Sequence, residues 1–372
     1  MTVTVRSFAK INLGLRIGVH RDDGFHELLT VYQTIALHDV IRIGVGRGEG
    51  IEIRCADPRV PTDNSNTCFR IVEKAMQALG VKRRVVVEIE KRLPVQGGLG
   101  GASANAVATL LGLEQALKKS LPAAKKLRIA AEVGSDLALF LVGGTVLGVG
   151  RGEQVYPLED LPAMACVVLT PEVGVSTPKA FAAWDRLCGV NSCGAGTLAR
   201  EASTGQSPVA LAQEAAELRS AGQPWAAVPT QVNPKSKAAK SKVAKLTGSD
   251  PSDRMNLLSC GLSAWLSEPY SGAPFRRGRA ENHILELVRA GIKNDFEEVV
   301  FPEYPELSDG KRALLRAGAK YASLSGSGST LYGLFTSREA AAQAAARLRK
   351  HGWTAQATAT LPRRAYWRRI VV

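Results

Sequence analysis

The segment KRLPVQGGLGGASANAVATLLGLEQAL, residues 91–117, decides how this chain is read. Gly97, Gly98, Gly100 and Gly101 stand close together, followed by four turns of small and helix-forming residues. Glycines let backbone N–H groups approach an anion unobstructed, and the helix that follows aims the positive end of its dipole at the same place. A phosphate is the group such a loop receives. Ser103 and Asn105 fall in the first helical turn, where a hydroxyl and an amide reach phosphate oxygens or a bound Mg²⁺. The spacing excludes G-x-x-x-x-G-K-[ST] and does not fit G-x-G-x-x-G, so neither a Walker ATPase nor a dinucleotide fold is supported.

Working outward, β-forming residues cluster or alternate at residues 2–5, 11–19, 40–45, 50–54 and 84–89, and helical patterns occur at 68–79, 102–118 and 125–133. Strand-to-helix alternation predicts an α/β or α+β unit over residues 1–160. A second unit over 161–372 opens with the strand-like AMACVVLTP, residues 163–171. It continues with helical patterns at 284–293 and 307–317, the strand-like YASLSG and LYGLF, and an Ala-rich helix over 339–350. Between them, residues 187–280 lack a sustained apolar period and carry KSKAAKSKVAK, which predicts an extended loop or insertion. A length of 372 residues agrees with two packed units.

The chain carries 48 basic and 34 acidic residues, a net charge of +14. Acid-free runs at 235–245, 276–279 and 363–369 hold five lysines, three arginines and four arginines, twelve in all. Such runs are expected to be solvated surface. A nucleic-acid or acidic-membrane contact is the alternative, without an RNA-binding aromatic motif or zinc-finger spacing beside it. The apolar stretch 137–150 is broken by glycines and shorter than the ~20 residues of a spanning helix. Arg6, Lys10 and Arg16 interrupt the apolar N-terminus, so no signal-peptide core forms there. Six scattered cysteines without a C-x-x-C pair point to free thiols in a reducing cytoplasm, with no metal site.

Two further segments bear on chemistry. SFAKINLGLRIGVHRDDGFHEL, residues 7–28, sets a lysine at the start of a strand and ends in Gly24-Phe25-His26; VGSDLALFLVGG, residues 133–144, sets Asp136 at the mouth of an apolar stretch. A desolvated carboxylate beside a lysine is suited to receive a hydroxyl proton. Alternatively, Asp136 is an ordinary helix N-cap and Lys10 faces solvent from its strand.

Taken together, K-I-N-L, L-P-V-Q-G-G-L-G-G-A-S-A-N and L-S-G-S-G-S-T (324–330) resemble the three motifs of the galacto-, homoserine, mevalonate and phosphomevalonate kinase superfamily. Within it, D-G-F-H-E-L, K-R-L-P, G-V-S-T-P-K-A-F (174–181) and N-D-F-E with Y-P-E-L (294–307) are similar to the branch of the non-mevalonate isoprenoid route whose substrate is a cytidine-diphosphate alcohol. The resemblance covers residues 1–186 and 281–335. It implies an α+β, two-domain small-molecule kinase fold, with an N-terminal ribosomal-protein-S5-domain-2-like domain and a C-terminal ferredoxin-like domain. It also implies a cytoplasmic enzyme, monomer or homodimer, that uses ATP and Mg²⁺ on a small cytidine-diphosphate substrate without a membrane or nucleic-acid partner.

By the same resemblance Asp136 matches the residue that accepts the substrate proton, and Lys10 the residue that orients and assists it. Asn12, His26 and Thr177 match substrate contacts, with Phe25 and Phe181 on either face of the cytosine. Gly97, Gly98, Gly100, Gly101, Ser103 and Asn105, with Pro94 and Leu99, match the ATP loop; Asn66 matches an adenine contact. Gly326 and Gly328 match the turn that closes on that loop. The chain departs from the family pattern at Gln96, Ala102, Phe25 and Leu137-Ala138. Another alcohol as substrate, or a non-catalytic nucleic-acid-binding role on this scaffold, are the competing readings.

Overall fold

Two very long strands, β1 (Thr2–His20) and β2 (His26–Gly46), form an antiparallel hairpin at the centre of the computed structural model, which describes residues 2–95, 97–189 and 292–372. Gln96, the 235–245 and 276–279 runs and all but the first three residues of the 187–280 segment lie outside the described residues. The 284–293 helix expected from the sequence also falls there, apart from Ile292 and Lys293, which are not helical.

The first sheet adds β3 (Gly50–Cys55), β4 (Arg84–Glu90), β5 (Thr145–Val149) and β6 (Gln154–Pro157), in the order β3-β4-β2-β5-β6 with β1 paired to β2. Helices α1 (Thr67–Leu79), α2 (Gly101–Leu117), α3 (Ala123–Val133) and α4 (Leu137–Val142) share with it a core that includes Val5, Phe8, Ile43, Val87, Leu110 and Phe140. The second sheet, β10-β7-β9-β8, is antiparallel: β7 (Ala165–Leu169), β8 (Tyr321–Leu324), β9 (Leu331–Phe335) and β10 (Ala355–Ala359). Its helices are α5 (Thr177–Leu187), α6 (Glu297–Glu303), α7 (Pro305–Arg316) and α8 (Arg338–Lys350). The α+β class agrees with the expectation from sequence. Among the described residues no helix is long and apolar enough to cross a membrane.

A strand reads as alternating only where one of its faces meets water. Residues 7–18 of β1 are buried on both faces, and Ala9, Ile11 and Leu13 enter a third cluster with Val168, Tyr332 and Leu334 of the second sheet. Lys10 and Asn12 therefore project from the opposite face, side by side. Register shifts lie between Phe8 and Lys10 and between Asn12 and Gly14, so bulges bracket these two residues.

The basic run 363–369 departs from the expected solvated surface. It forms α9 (Arg363–Ile370), whose Tyr366 and Ile370 enter the first core. Tyr366 Oη donates to the Phe140 carbonyl at 2.7 Å, and the Arg363 guanidinium donates to the carbonyls of Gly143, Thr145 and Leu158. Apolar residues at i and i+4 drive this docking, while three of the arginines remain exposed.

Candidate active site

Lys10 is 3% exposed and lies at the meeting point of four segments. Its Nζ donates to Asn12 Oδ1 at 2.7 Å and stands 3.5 Å from Asp136 Oδ2. Gly326 approaches so closely that a Cβ there would sit 3.6 Å from Nζ, and one at Gly100 would sit 3.1 Å from Lys10 Cγ. Asn12 in turn donates to Thr30 Oγ1 at 2.8 Å. Burial pulls the ammonium below the ordinary lysine value, and the attraction of Asp136 opposes that pull. A solvent-facing role for Lys10 is thus excluded. Asp136 occupies the position that caps α4, yet its side chain accepts no capping bond. Its carboxylate is one-third exposed and takes Tyr32 Oη at 3.1 Å instead.

The glycine loop enters this centre from α2. Gly98 and Gly100 adopt φ of +76° and +68°, backbone that favours glycine. The loop also packs on the turn after β8. Ser325 Oγ donates to the Gly98 carbonyl at 3.0 Å, and Thr330 N donates to the Gly97 carbonyl at 3.1 Å. The segment before the glycines is held by Asp39, which is fully buried and accepts from Arg92 N, Leu93 N and Lys91 Nζ, each at 2.7 Å. Asn294 Nδ2 donates to the carbonyls of Leu324 and Gly326, fixing the turn from its other side.

A cavity of about 340 Å³ opens beside the loop, lined by Asn66, Pro94, the glycines, Ser103 and Asn105. Asn66 caps α1 by accepting from Cys68 N at 2.8 Å and donates to the Pro61 carbonyl, so both ends of its amide are already used. Asn105 Oδ1 accepts from Ser7 Oγ at 2.6 Å. The Leu99 side chain is packed in the third core, while its carbonyl accepts from Lys10 N at 3.0 Å. Leu99 therefore offers only backbone to a ligand.

At the far end, Phe181 stacks on His26 with ring centroids 4.8 Å apart and planes 9° off parallel. His26 Nε2 meets Asp185 Oδ1 at 2.6 Å. An ionised carboxylate only accepts, so the ring nitrogen Nε2 is the donor in this pair. Phe25 is half exposed and lies beneath the Arg151 guanidinium, 5.0 Å from its ring centroid. The structure pairs Phe181 with His26, and Phe25 with Arg151. Thr177 Oγ1 and Ser327 Oγ are 2.6 Å apart, joining the start of α5 to the turn that carries Gly326 and Gly328.

Tyr32, Asp39, Asp185 and Asn294 are not among the sequence-predicted site residues. A pattern in the chain does mark Asn294 and Asp295, which begin the N-D-F-E motif; the others are revealed only by pairing across the fold. Asp295 is fully buried and salt-bridged to Arg16 at 2.7 Å.

Family models for the GHMP kinases N terminal domain and the GHMP kinases C terminal match residues 66–144 and 279–352. The chain is 33% identical to the 4-diphosphocytidyl-2-C-methyl-D-erythritol kinase of Solibacter usitatus (strain Ellin6076), over 90% of this chain and 82% of that protein. It is 32% identical to the kinase of the same name from Synechococcus sp. (strain JA-2-3B'a(2-13)), over 93% of this chain and 89% of that one. A crystal structure of 4-(cytidine 5'-diphospho)-2C-methyl-D-erythritol kinase superposes with a TM-score of 0.61 at 22% identity, covering 96% of this chain and 98% of the other.

Proposed function

The chain belongs to the GHMP kinases and, within them, to the 4-diphosphocytidyl-2-C-methyl-D-erythritol kinase family, and from that membership we propose how its own residues carry out the reaction. The enzyme transfers the γ-phosphoryl group of ATP to the 2-hydroxyl of 4-diphosphocytidyl-2-C-methyl-D-erythritol, a step toward isoprenoid precursors.

The oxygen of the 2-hydroxyl forms a bond to the γ-phosphorus while the bond to the bridging oxygen of ADP breaks, and Asp136 receives the hydroxyl proton. Lys10 holds Asp136 and Asn12 in place and offers positive charge next to the attacking oxygen. Backbone N–H groups of the 97–101 loop and the N-terminus of α2 take the charge that develops on the phosphates. Such transfer is dominated by positioning and electrostatics, with little covalent work for the protein. Mg²⁺ fits as an ion that arrives with the nucleotide, because it keeps several waters and needs few protein oxygens. Ser103 Oγ in the first turn of α2 is the group that would meet it, and when bound it neutralises phosphate charge. The cytosine is received at the Phe25, His26 and Phe181 end, where the bond to Asp185 fixes the orientation of the His26 ring. Thr177 lines the same end.

What supports this reading above all is the convergence of Asp136, Asn12, Gly100 and Gly326 on one buried lysine. A coupled assay of ADP release with ATP and the cytidine substrate tests it. The wild type turns over, and Asp136→Asn lowers kcat by roughly 10²–10⁴-fold, the usual worth of a positioned general base. Absence of phosphoryl transfer by the wild type would defeat the kinase reading; full activity of the variant would defeat the role of Asp136 alone.

A further inference from the structure

Asn12 stands directly opposite Tyr32 in the β1–β2 register, and Lys10 opposite Thr34. The bulge between Phe8 and Lys10 and that between Asn12 and Gly14 leave this short stretch in regular pairing, so Tyr32 emerges on the same face as Lys10 and Asn12. Its ring is 2% exposed, and Lys10 Nζ lies 5.5 Å from the ring centroid. From this position Oη donates to Asp136 Oδ1 at 3.1 Å, while Asp136 Oδ2 faces Lys10 Nζ.

The ring sits in a slot whose walls are glycine. A Cβ on Gly148 would lie 2.5 Å from Tyr32 Cε2, and one on Gly152 would lie 2.4 Å from Tyr32 Oη. The second approach concerns the hydroxyl specifically: a phenylalanine in the slot would leave that space empty. Gly152 belongs to the turn that also carries Arg151, whose guanidinium covers Phe25, and Glu153, which accepts from Arg151 N at 2.7 Å.

We propose that Tyr32 is a positioning residue for phosphoryl transfer, gripping one carboxylate oxygen of Asp136 while Lys10 holds the other, so that the carboxylate faces the substrate hydroxyl in one orientation. The phenol is a donor to this carboxylate throughout the working pH range, since burial and the adjacent Asp136 charge push its ionisation far above the ordinary tyrosine value.

The proposal rests on Asp136 as proton acceptor, and the two are separable by experiment. Tyr32→Phe retains the ring and removes the donor. Its kcat falls roughly ten- to hundredfold, the range for a hydrogen bond to a charged group, with the KM for ATP unchanged and the melting temperature within a few degrees of wild type. The decisive reading is the split between kcat and KM together with a double variant, because a bond made to the reacting carboxylate acts on kcat and only while that carboxylate is present. A kcat within threefold of wild type, or an equal fall in kcat when Asp136 is already asparagine, overturns the proposal. In the Asp136→Asn background, Tyr32→Phe has no further effect on kcat. If Asp136→Asn itself keeps full activity, the assignment of the acceptor fails, and that result is reached without Tyr32.

Discussion

Gly98→Ala strikes the seam between the nucleotide loop and the turn after β8. Gly98 has φ +76°, which costs an L-residue roughly 1–2 kcal/mol. The new methyl would lie 2.2 Å from the Ser325 carbonyl oxygen and 2.8 Å from that of Gly328, both backbone atoms that no side-chain rotation can move. Opening the seam to about 3.0 Å requires roughly 0.8 Å of separation. That movement weakens the Ser325 Oγ to Gly98 and Thr330 N to Gly97 bonds, each worth about 1 kcal/mol net. The combined cost of about 3 kcal/mol falls on the loop that receives the phosphates, which corresponds to roughly a hundredfold loss of ATP affinity. Calorimetric titration with ATP and the steady-state KM for ATP read this directly, while the cytidine substrate binds with unchanged affinity. Gly174→Ala, where a Cβ meets nothing within 4 Å, is the control and leaves both substrates unaffected. An ATP affinity of Gly98→Ala within threefold of wild type would refute the reasoning.

Other expectations are more local. Phe181→Ala removes the partner that stacks on His26 and raises the KM for the cytidine substrate at least tenfold with little change for ATP; equal small effects on both would remove the case for a base-binding end. Asn294→Ala leaves the buried carbonyls of Leu324 and Gly326 without their donor, lowering the melting temperature by several degrees and weakening ATP, as thermal melts with and without nucleotide will record. Burial pushes the Cys68 and Cys166 thiols up to about 12, so at pH 8 neither holds appreciable thiolate. Iodoacetamide at pH 8 labels neither in the native protein and both after denaturation, a difference that peptide mass mapping detects.

Local chemistry explains why the phosphate loop was legible and its supports were not. Four glycines followed by small residues announce an anion site within ten positions, because backbone access and helix start are both short-range properties. The first half of β2 escaped notice because burial on both faces removes its alternation. Tyr32 and Asp136 are 104 residues apart, His26 and Asp185 159 apart, and each pair exists only through the fold. Asp39 belongs to no motif in the sequence, although it anchors the strand exit that leads to the glycines. The run 363–369 works the other way. Three of its arginines are exposed, as a basic run suggests, while Tyr366 and the neighbouring Ile370 decide where the helix docks.

That docking sets an order of events during synthesis. Val371 bridges Val5, Val372 N donates to the Thr4 carbonyl at 3.2 Å, and Leu361, Tyr366 and Ile370 fill the core beneath the first sheet. The first core thus joins a strand near residue 5 to a segment near residue 370, so it reaches its final packing only once the later of the two has been made, against the usual order in which a domain is completed before the next begins.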